Sequence, residues 1–249
     1  MMNSPDAFIL SPGDERTISL GLCWWLVPDN SVGCSLLLHG DDEQQLKLGP
    51  FDTGILGFRG RQISVSSGSV AVLSADFISL AKLQAFIDSA LSIPEPTRGE
   101  EWFGFTPLRY RKTLTPRLFE SWLLTQNVRR CNESARIISL LRNTEWYWIV
   151  RFLLGAYDGE MSLKDMGEKY GLSVSHFRRL CKAALGNSTK EEMCHWRLAR
   201  ALLDMMENGG SITDIAFKHG YASLSHFSKD VKTVLGLPPR DIRNSLNIL

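Results

Sequence analysis

Two stretches in the second half of the chain repeat one another, and each has the pattern of a helix, a tight turn and a second helix. The first is residues 162–186, SLKDMGEKYGLSVSHFRRLCKAALG, and the second is residues 211–236, SITDIAFKHGYASLSHFSKDVKTVLG. Both begin with serine, turn at a glycine, contain Ser-His-Phe and end in Leu-Gly. One such stretch alone could be an ordinary helical hairpin. Two copies with aligned features predict a tandem helix-turn-helix unit.

Local signals place the helices of the first repeat. Ser162, with Asp165 three residues later, has the sequence of a capping box, and Gly171 suits a left-handed turn. Ser173 can cap the second helix, whose buried side would begin with Phe177. The opposite side of that helix is polar and carries adjacent arginines, which is what reading a DNA major groove requires.

The second repeat carries a recognisable pattern of its own. Its stretch GYASLSHFSKDVKTVLGLPPRDIR, with Gly236, the pair Pro238-Pro239 and Arg243, resembles the signature of the AraC/XylS family of transcription regulators. The resemblance covers roughly residues 145–247. Within that family, the stretches EWYWIV, YGLSVSHFRRLCKAALG and HWRLARALL are similar to the InvF/MxiE-type activators of type III secretion genes.

This resemblance implies a function and a set of partners. AraC-type regulators are cytoplasmic transcription activators that bind double-stranded DNA in the major groove and act on RNA polymerase. The InvF/MxiE type works with a type III secretion chaperone as co-activator. Neither the residues nor the resemblance predicts a catalytic residue, a cofactor or a bound metal. The DNA-binding residues it implies are Ser175, His176, Arg178, Arg179 and Lys182 in the first repeat, and Leu224, Ser225, Ser228 and Lys229 in the second.

The two sets of DNA-binding residues are chemically unequal. An arginine can bond bidentately to guanine, a contact worth ~1–3 kcal/mol of discrimination between bases. The second set has no side chain with that fork, and Lys229 is suited to a phosphate. Base specificity is therefore predicted mainly in the first repeat, while the second contributes affinity and register. One of Arg178 and Arg179 is itself expected to contact a phosphate.

The resemblance also implies the fold class, which is α+β with two domains. An N-terminal cupin-like antiparallel β domain with flanking helices would precede an all-α domain with the tandem helix-turn-helix. The sequence agrees, because residues 8–79 are short apolar stretches separated by Gly, Pro, Asp and Asn, and residues 78–92 have the period of an amphipathic helix. The predicted domains are residues 1–92, a connector at 93–143, and the DNA-binding domain at 144–249.

The function of the β domain is open between two alternatives. It could bind a small molecule, for which Trp24 and Trp25 would supply aromatic surfaces, or it could bind a protein. A cupin enzyme is disfavoured, because such enzymes use several histidines as metal ligands and His39 is the one histidine in residues 1–100.

Residues 93–115, the first part of the connector, contain three prolines and end in a basic run, Arg109, Arg111 and Lys112. Helices predicted at 117–126 and 127–143 could form a homodimer interface, as in other AraC-type proteins, or could pack on their own chain. Residues 145–249 are predicted to form about seven helices and to fold alone. One of these, at 189–207, would begin with a capping box of Thr189 and Glu192 and would be roughly 28 Å long. It could hold two recognition helices in successive major grooves, which lie about 34 Å apart. Its apolar stripe is predicted to be Met193, Trp196, Ala199, Leu203 and Met206.

Composition adds limits to this picture. The net charge is only +1, but residues 1–100 carry 6 basic and 12 acidic side chains, whereas residues 101–144 carry 8 and 3. No apolar run reaches the roughly 18 residues that span a bilayer, and the N-terminus lacks a basic signal-peptide region, so no membrane association is expected. Scattered cysteines without CxxC spacing indicate reduced thiols in the cytoplasm. These cysteines are Cys23, Cys34, Cys131, Cys181 and Cys194.

Overall fold

The computed structural model describes residues 7–19, 21–29, 31–97, 99–108, 116–130, 132–156, 161–208 and 210–246. The chain forms two compact units, Met1–Arg151 and Phe152–Leu249. The predicted basic run of Arg109, Arg111 and Lys112 lies outside the described residues, as does Cys131. No helix in the described ranges is long and apolar enough to cross a membrane.

The first unit contains two antiparallel sheets, as predicted for an N-terminal β domain. Its strands are β1 Ala7–Leu10, β2 Glu15–Thr17, β3 Leu22–Pro28, β4 Cys34–His39, β5 Glu43–Leu48, β6 Gly54–Phe58, β7 Gln62–Gly68, β8 Val70–Ala75 and β9 Phe103–Pro107. One sheet has the strand order β1-β8-β3-β6-β9 and the other β2-β7-β4-β5. Leucine, isoleucine, valine and phenylalanine side chains from both sheets form one buried core between them.

Ten helices are present in the described residues. They are α1 Phe77–Ala90, α2 Pro116–Arg129, α3 Ala135–Arg142, α4 Glu145–Ala156, α5 Leu163–Tyr170, α6 Val174–Leu185, α7 Thr189–Glu207, α8 Ile212–Lys218, α9 Leu224–Leu235 and α10 Pro239–Leu246. Seven of them, α4 to α10, lie after residue 144, which is the number predicted. The helices predicted at 117–126 and 127–143 instead form α2 and α3, separated by a short 3₁₀ turn.

The predicted connector contains a strand that the sequence analysis missed. Strand β9 lies at the edge of the first sheet and pairs with β6, with Phe105 opposite Leu56. Helix α3 crosses close to β9 at Gly104, where an added Cβ would lie 2.7 Å from Cβ of Arg136. The described elements in this range, β9, α2 and α3, therefore belong to the first unit. A strand of five residues that ends at a proline gives too short an alternation to be recognised from sequence.

A buried carboxylate joins three helices of the first unit. Asp88 of α1 is fully buried and accepts two hydrogen bonds from the guanidinium of Arg142 of α3, at 2.8 and 2.7 Å. The hydroxyl of Tyr147 of α4 donates to the same carboxylate at 2.7 Å, and Nε2 of Gln84 donates to it at 2.9 Å. Burial and the nearby Asp88 raise the pKa of Tyr147, and the bond to Asp88 raises the pKa of Arg142.

The first part of α4 is bonded to the rest of the first unit. Arg151 also donates to the carbonyl oxygen of Ile93 at 2.9 Å, so the first part of α4 has its polar partners in the first unit. The division falls inside α4, after Arg151, whereas the sequence analysis placed the domain boundary at 143/144. The apolar surface all round α4, with Tyr147 and Leu153 both buried, reflects its contribution of residues to both units.

Candidate nucleic-acid interface

The first helix-turn-helix repeat is held by the local contacts that its sequence predicts. The hydroxyl of Ser162 accepts a hydrogen bond from the backbone N–H of Asp165, and the Asp165 carboxylate accepts from the N–H of Ser162. The hydroxyl of Ser162 also donates to that carboxylate at 2.6 Å, and this bond, together with the one from the Ser162 N–H, lowers the pKa of Asp165. Gly171 is left-handed, with φ of 82°, and Ser173 caps α6 by accepting from the N–H of His176. The predicted capping box, turn and second cap are confirmed.

Helix α6 presents one polar side to solvent. Its buried side chains are those of Phe177, Leu180, Cys181, Ala184 and Leu185. All five residues predicted to bind DNA from this repeat are exposed: Ser175, His176, Arg178, Arg179 and Lys182. Steps of three and four residues place four of them in one stripe along the helix, with His176 beside its first turn. The surface is therefore polar and basic, which is what contact with base edges in a major groove requires.

The second repeat has the same geometry, but its predicted DNA-binding residues include no arginine. The hydroxyl of Ser223 accepts from the N–H of His226 at 3.2 Å and so caps α9. The four predicted DNA-binding residues of α9 lie together on one side of the helix, with three of them exposed and Ser228 half-buried. They are Leu224, Ser225, Ser228 and Lys229. In contrast to Ser162, the side chain of Ser211 makes no capping bond to α8.

An ionic cluster that the sequence analysis missed connects α7 to the second repeat. The carboxylate of Asp204 lies 2.8 Å from Nζ of Lys218 and 2.8 Å from Nε2 of His219, and it accepts from Nδ2 of Asn208 at 2.6 Å. These bonds, that from Lys218 foremost, hold the pKa of Asp204 well below its usual range. The cluster fixes the end of α8, and therefore the turn before α9, to the long helix.

A second unforeseen contact, from Arg197 of α7, fixes that turn. Its guanidinium lies over the ring of Tyr221 at 4.4 Å from the centroid, and Nη1 donates to the carbonyl oxygen of Gly220 at 3.4 Å. The buried Tyr221 ring in turn packs edge-on against His226 and Phe227 of α9, at 5.5 and 5.0 Å. The orientation of the second recognition helix is therefore set from α7 by a cation–π contact.

The long helix α7 has its predicted bounds but not its predicted buried side. Its 19 residues give a length of about 28 Å. The cap is Ser188, which accepts from the N–H of Glu191, rather than the predicted Thr189. Three side chains that were predicted to be buried on the same side of the helix as Met193 are exposed instead. They are Ala199, Leu203 and Met206. The buried side changes along the helix, because its second half packs on α8 and α9 through Leu198, Ala201 and Met205.

Known proteins resemble this chain, above all in the region of the two repeats. A family model described as a helix-turn-helix domain matches residues 166–245. Invasion protein InvF of Salmonella typhimurium is 38% identical over 172 residues, which are 68% of this chain and 79% of InvF. Transcriptional regulator MxiE of Shigella flexneri is 41% identical over 109 residues, 43% of this chain and 52% of MxiE. The solved structure of ToxT from Vibrio cholerae covers 97% of this chain and 98% of its own, with 14% identity and a TM-score of 0.39.

Two capped recognition helices, each with a polar exposed side and joined by one long helix, define a DNA-binding transcription regulator rather than an enzyme. The similarity to InvF spans most of both chains. The chain therefore belongs to the AraC/XylS family and is related to the InvF and MxiE regulators.

Proposed function

We propose that this protein is a cytoplasmic activator of type III secretion or effector genes, which binds promoter DNA through α6 and α9 and works with a secretion chaperone as co-activator of RNA polymerase. The observation that carries the proposal is the 172-residue similarity to InvF, because it is longer than the DNA-binding unit and extends into the first unit. A likeness confined to the helix-turn-helix domain would have indicated DNA binding alone.

The packing of the first unit favours control by a protein over control by a small molecule. A sugar-like ligand would stack on exposed aromatic side chains. Trp24, however, is 6% exposed and lies in the core between the sheets, where Phe8 packs edge-on against it at 5.5 Å. Trp25, 7% exposed, lies on the opposite side of the sheet and packs against Phe119 of α2 at 6.4 Å. Neither tryptophan is available as a platform for a ligand without displacing its neighbours.

The test is transcription reconstituted from purified RNA polymerase, this protein, its cognate secretion chaperone and a candidate promoter. Activation is expected only when the chaperone is present, together with co-elution of the two proteins. The double variant Arg178→Ala, Arg179→Ala is the matched control, because it should keep co-elution and lose activation. Activation by a small molecule without the chaperone would instead support the sensor alternative.

We also propose that a homodimer forms through α2, within the predicted range 117–143. One side of α2 packs against its own chain through the buried side chains of Phe119 and Leu123. The other side exposes Leu124 and Val128, at 45% and 74%, and the spacing of four residues places these two apolar side chains next to each other on the helix surface. Helix α3 does not offer such a surface, because its apolar side chains are buried. These are Ile137, Ile138, Leu140 and Leu141.

Substituting Leu124 and Val128 with glutamate is expected to convert the dimer into a monomer, because each charge would have to be buried in the interface. Light scattering across a concentration series measures the mass. The control is Val32→Glu, which adds a charge at a similarly exposed valine in a turn of the same unit. The α2 proposal fails if the wild type is a monomer throughout the series, or if the double variant remains a dimer.

A further inference from the structure

A groove of about 450 Å³ lies beside the second recognition helix. It is bounded by the start of α8, the exposed side of α9 and the start of α10. Its lining residues are Ser211, Ile212, Leu224, Ser228, Pro238, Pro239, Arg240 and Arg243. Leu224 and Ser228 belong to the predicted DNA-binding surface. Any DNA that contacts this side of α9 therefore also lies next to the groove.

The lining of the groove favours an anion. It contains two guanidinium groups and two hydroxyl groups, and no acidic side chain contributes to it. Arg243 is held in place because its Nη1 donates to the carbonyl oxygen of Gly210 at 2.8 Å. The side chain of Arg240 is exposed. Arginine at such a position offers several N–H donors in one plane, which match the oxygens of a phosphate.

The first repeat does not have this pair of arginines. Recognition helices α6 and α9 each end at a left-handed glycine, Gly186 and Gly236, and the next helix begins three residues later in both cases. Lys190 therefore stands at the position of Arg240. At the position of Arg243 the first repeat has Met193, which is buried. The arrangement of two arginines and two serines is thus specific to the second repeat.

We propose that this groove binds a backbone phosphate of the DNA whose bases face α9, with Arg240 as the direct contact and Arg243 maintaining the positive charge behind it. The proposal rests on the proposed DNA-binding function. It deepens that function because Arg240 is not among the predicted DNA-binding residues. It also gives a physical basis for the unequal roles of the repeats. The second repeat has few groups that can identify a base, yet it has a site for the sequence-independent part of the duplex.

The test measures binding of the full chain to a selected promoter fragment over a range of salt concentrations. Arg240→Ala is expected to reduce the slope of log K against log salt by about one, the value for one lost phosphate contact, and to leave the selected base sequence unchanged. Arg240→Lys should retain the wild-type slope, because a lysine keeps the point charge. Lys190→Ala, the equivalent change in the first repeat, is the matched control and should leave the slope nearly unaltered.

A neutral methylphosphonate at single positions of the DNA locates the contact. One substitution beside the base pairs covered by α9 should weaken the wild type and cause no further loss in Arg240→Ala. The groove proposal is overturned if Arg240→Ala binds with the wild-type slope, changes the preferred bases, or behaves like Lys190→Ala. Failure of the wild type to bind any selected DNA would instead overturn the proposed function, and the groove proposal with it.

Discussion

Replacing Asp88 with alanine is expected to lower the free energy of unfolding of the first unit by about 3–5 kcal/mol, the usual cost of removing one partner from a buried ion pair. The variant would leave the Arg142 guanidinium half-buried without its carboxylate, and the Tyr147 hydroxyl would lose its acceptor. Because these side chains belong to α1, α3 and α4, the loss should affect the whole helical layer of the unit rather than one helix.

The measurement is urea unfolding of the full chain followed by tryptophan fluorescence. Six of the seven tryptophans lie before residue 152, so the signal reports mainly on the first unit. The control is Glu120→Ala, which removes an exposed acidic side chain of α2 and should change the unfolding free energy by less than about 0.5 kcal/mol. A loss below about 1 kcal/mol in Asp88→Ala would show that the cluster is not a main source of stability.

The second large effect is expected in DNA sequence preference. Arg178→Ala or Arg179→Ala should relax the preference at one or two base pairs, because a bidentate contact from arginine to guanine contributes ~1–3 kcal/mol of discrimination. The other arginine of the pair is expected to contact a phosphate, so its loss should weaken binding to all sequences. Both side chains are exposed on α6, which limits any effect on folding.

Selection of binding sites from a random DNA pool, at moderate salt, distinguishes these roles. Lys229→Ala in α9 is the comparison variant: it should weaken all sites alike and reduce the salt dependence by about one counterion. The assignment is reversed if Lys229→Ala changes the selected sequence while both arginine variants select the wild-type sequence. Retained helical circular dichroism in each variant would exclude unfolding as the cause.

The features that sequence analysis predicted well are local. The Ser162 capping box, the left-handed Gly171 and the cap at Ser173 depend on residues within a few positions of one another, so their sequence contains most of what determines them. The exposure of the α6 residues follows from the same local period. Duplication of the pattern then identified the unit, because each copy supports the interpretation of the other.

The features that sequence analysis missed depend on partners far along the chain. Asp88 lies 54 residues from Arg142 and 59 from Tyr147, so its complete burial has no local signal. The buried side predicted for α7 assumed a single packing partner, whereas the two halves of the helix pack on different repeats. Arg197 was missed for a related reason, because its partner Tyr221 follows a turn and another helix.

The unequal surfaces of α6 and α9 have a consequence for the promoter. Two identical readers related by a two-fold axis match a palindrome, which looks the same from either end. Here both readers are on one chain, in a fixed order, and only α6 has arginines in its reading stripe. The DNA site of one protein molecule must therefore have a direction. Base preference is strong at the end that contacts α6 and weak at the end that contacts α9. Inverting that site would reverse the order in which α6 and α9 meet the rest of the promoter.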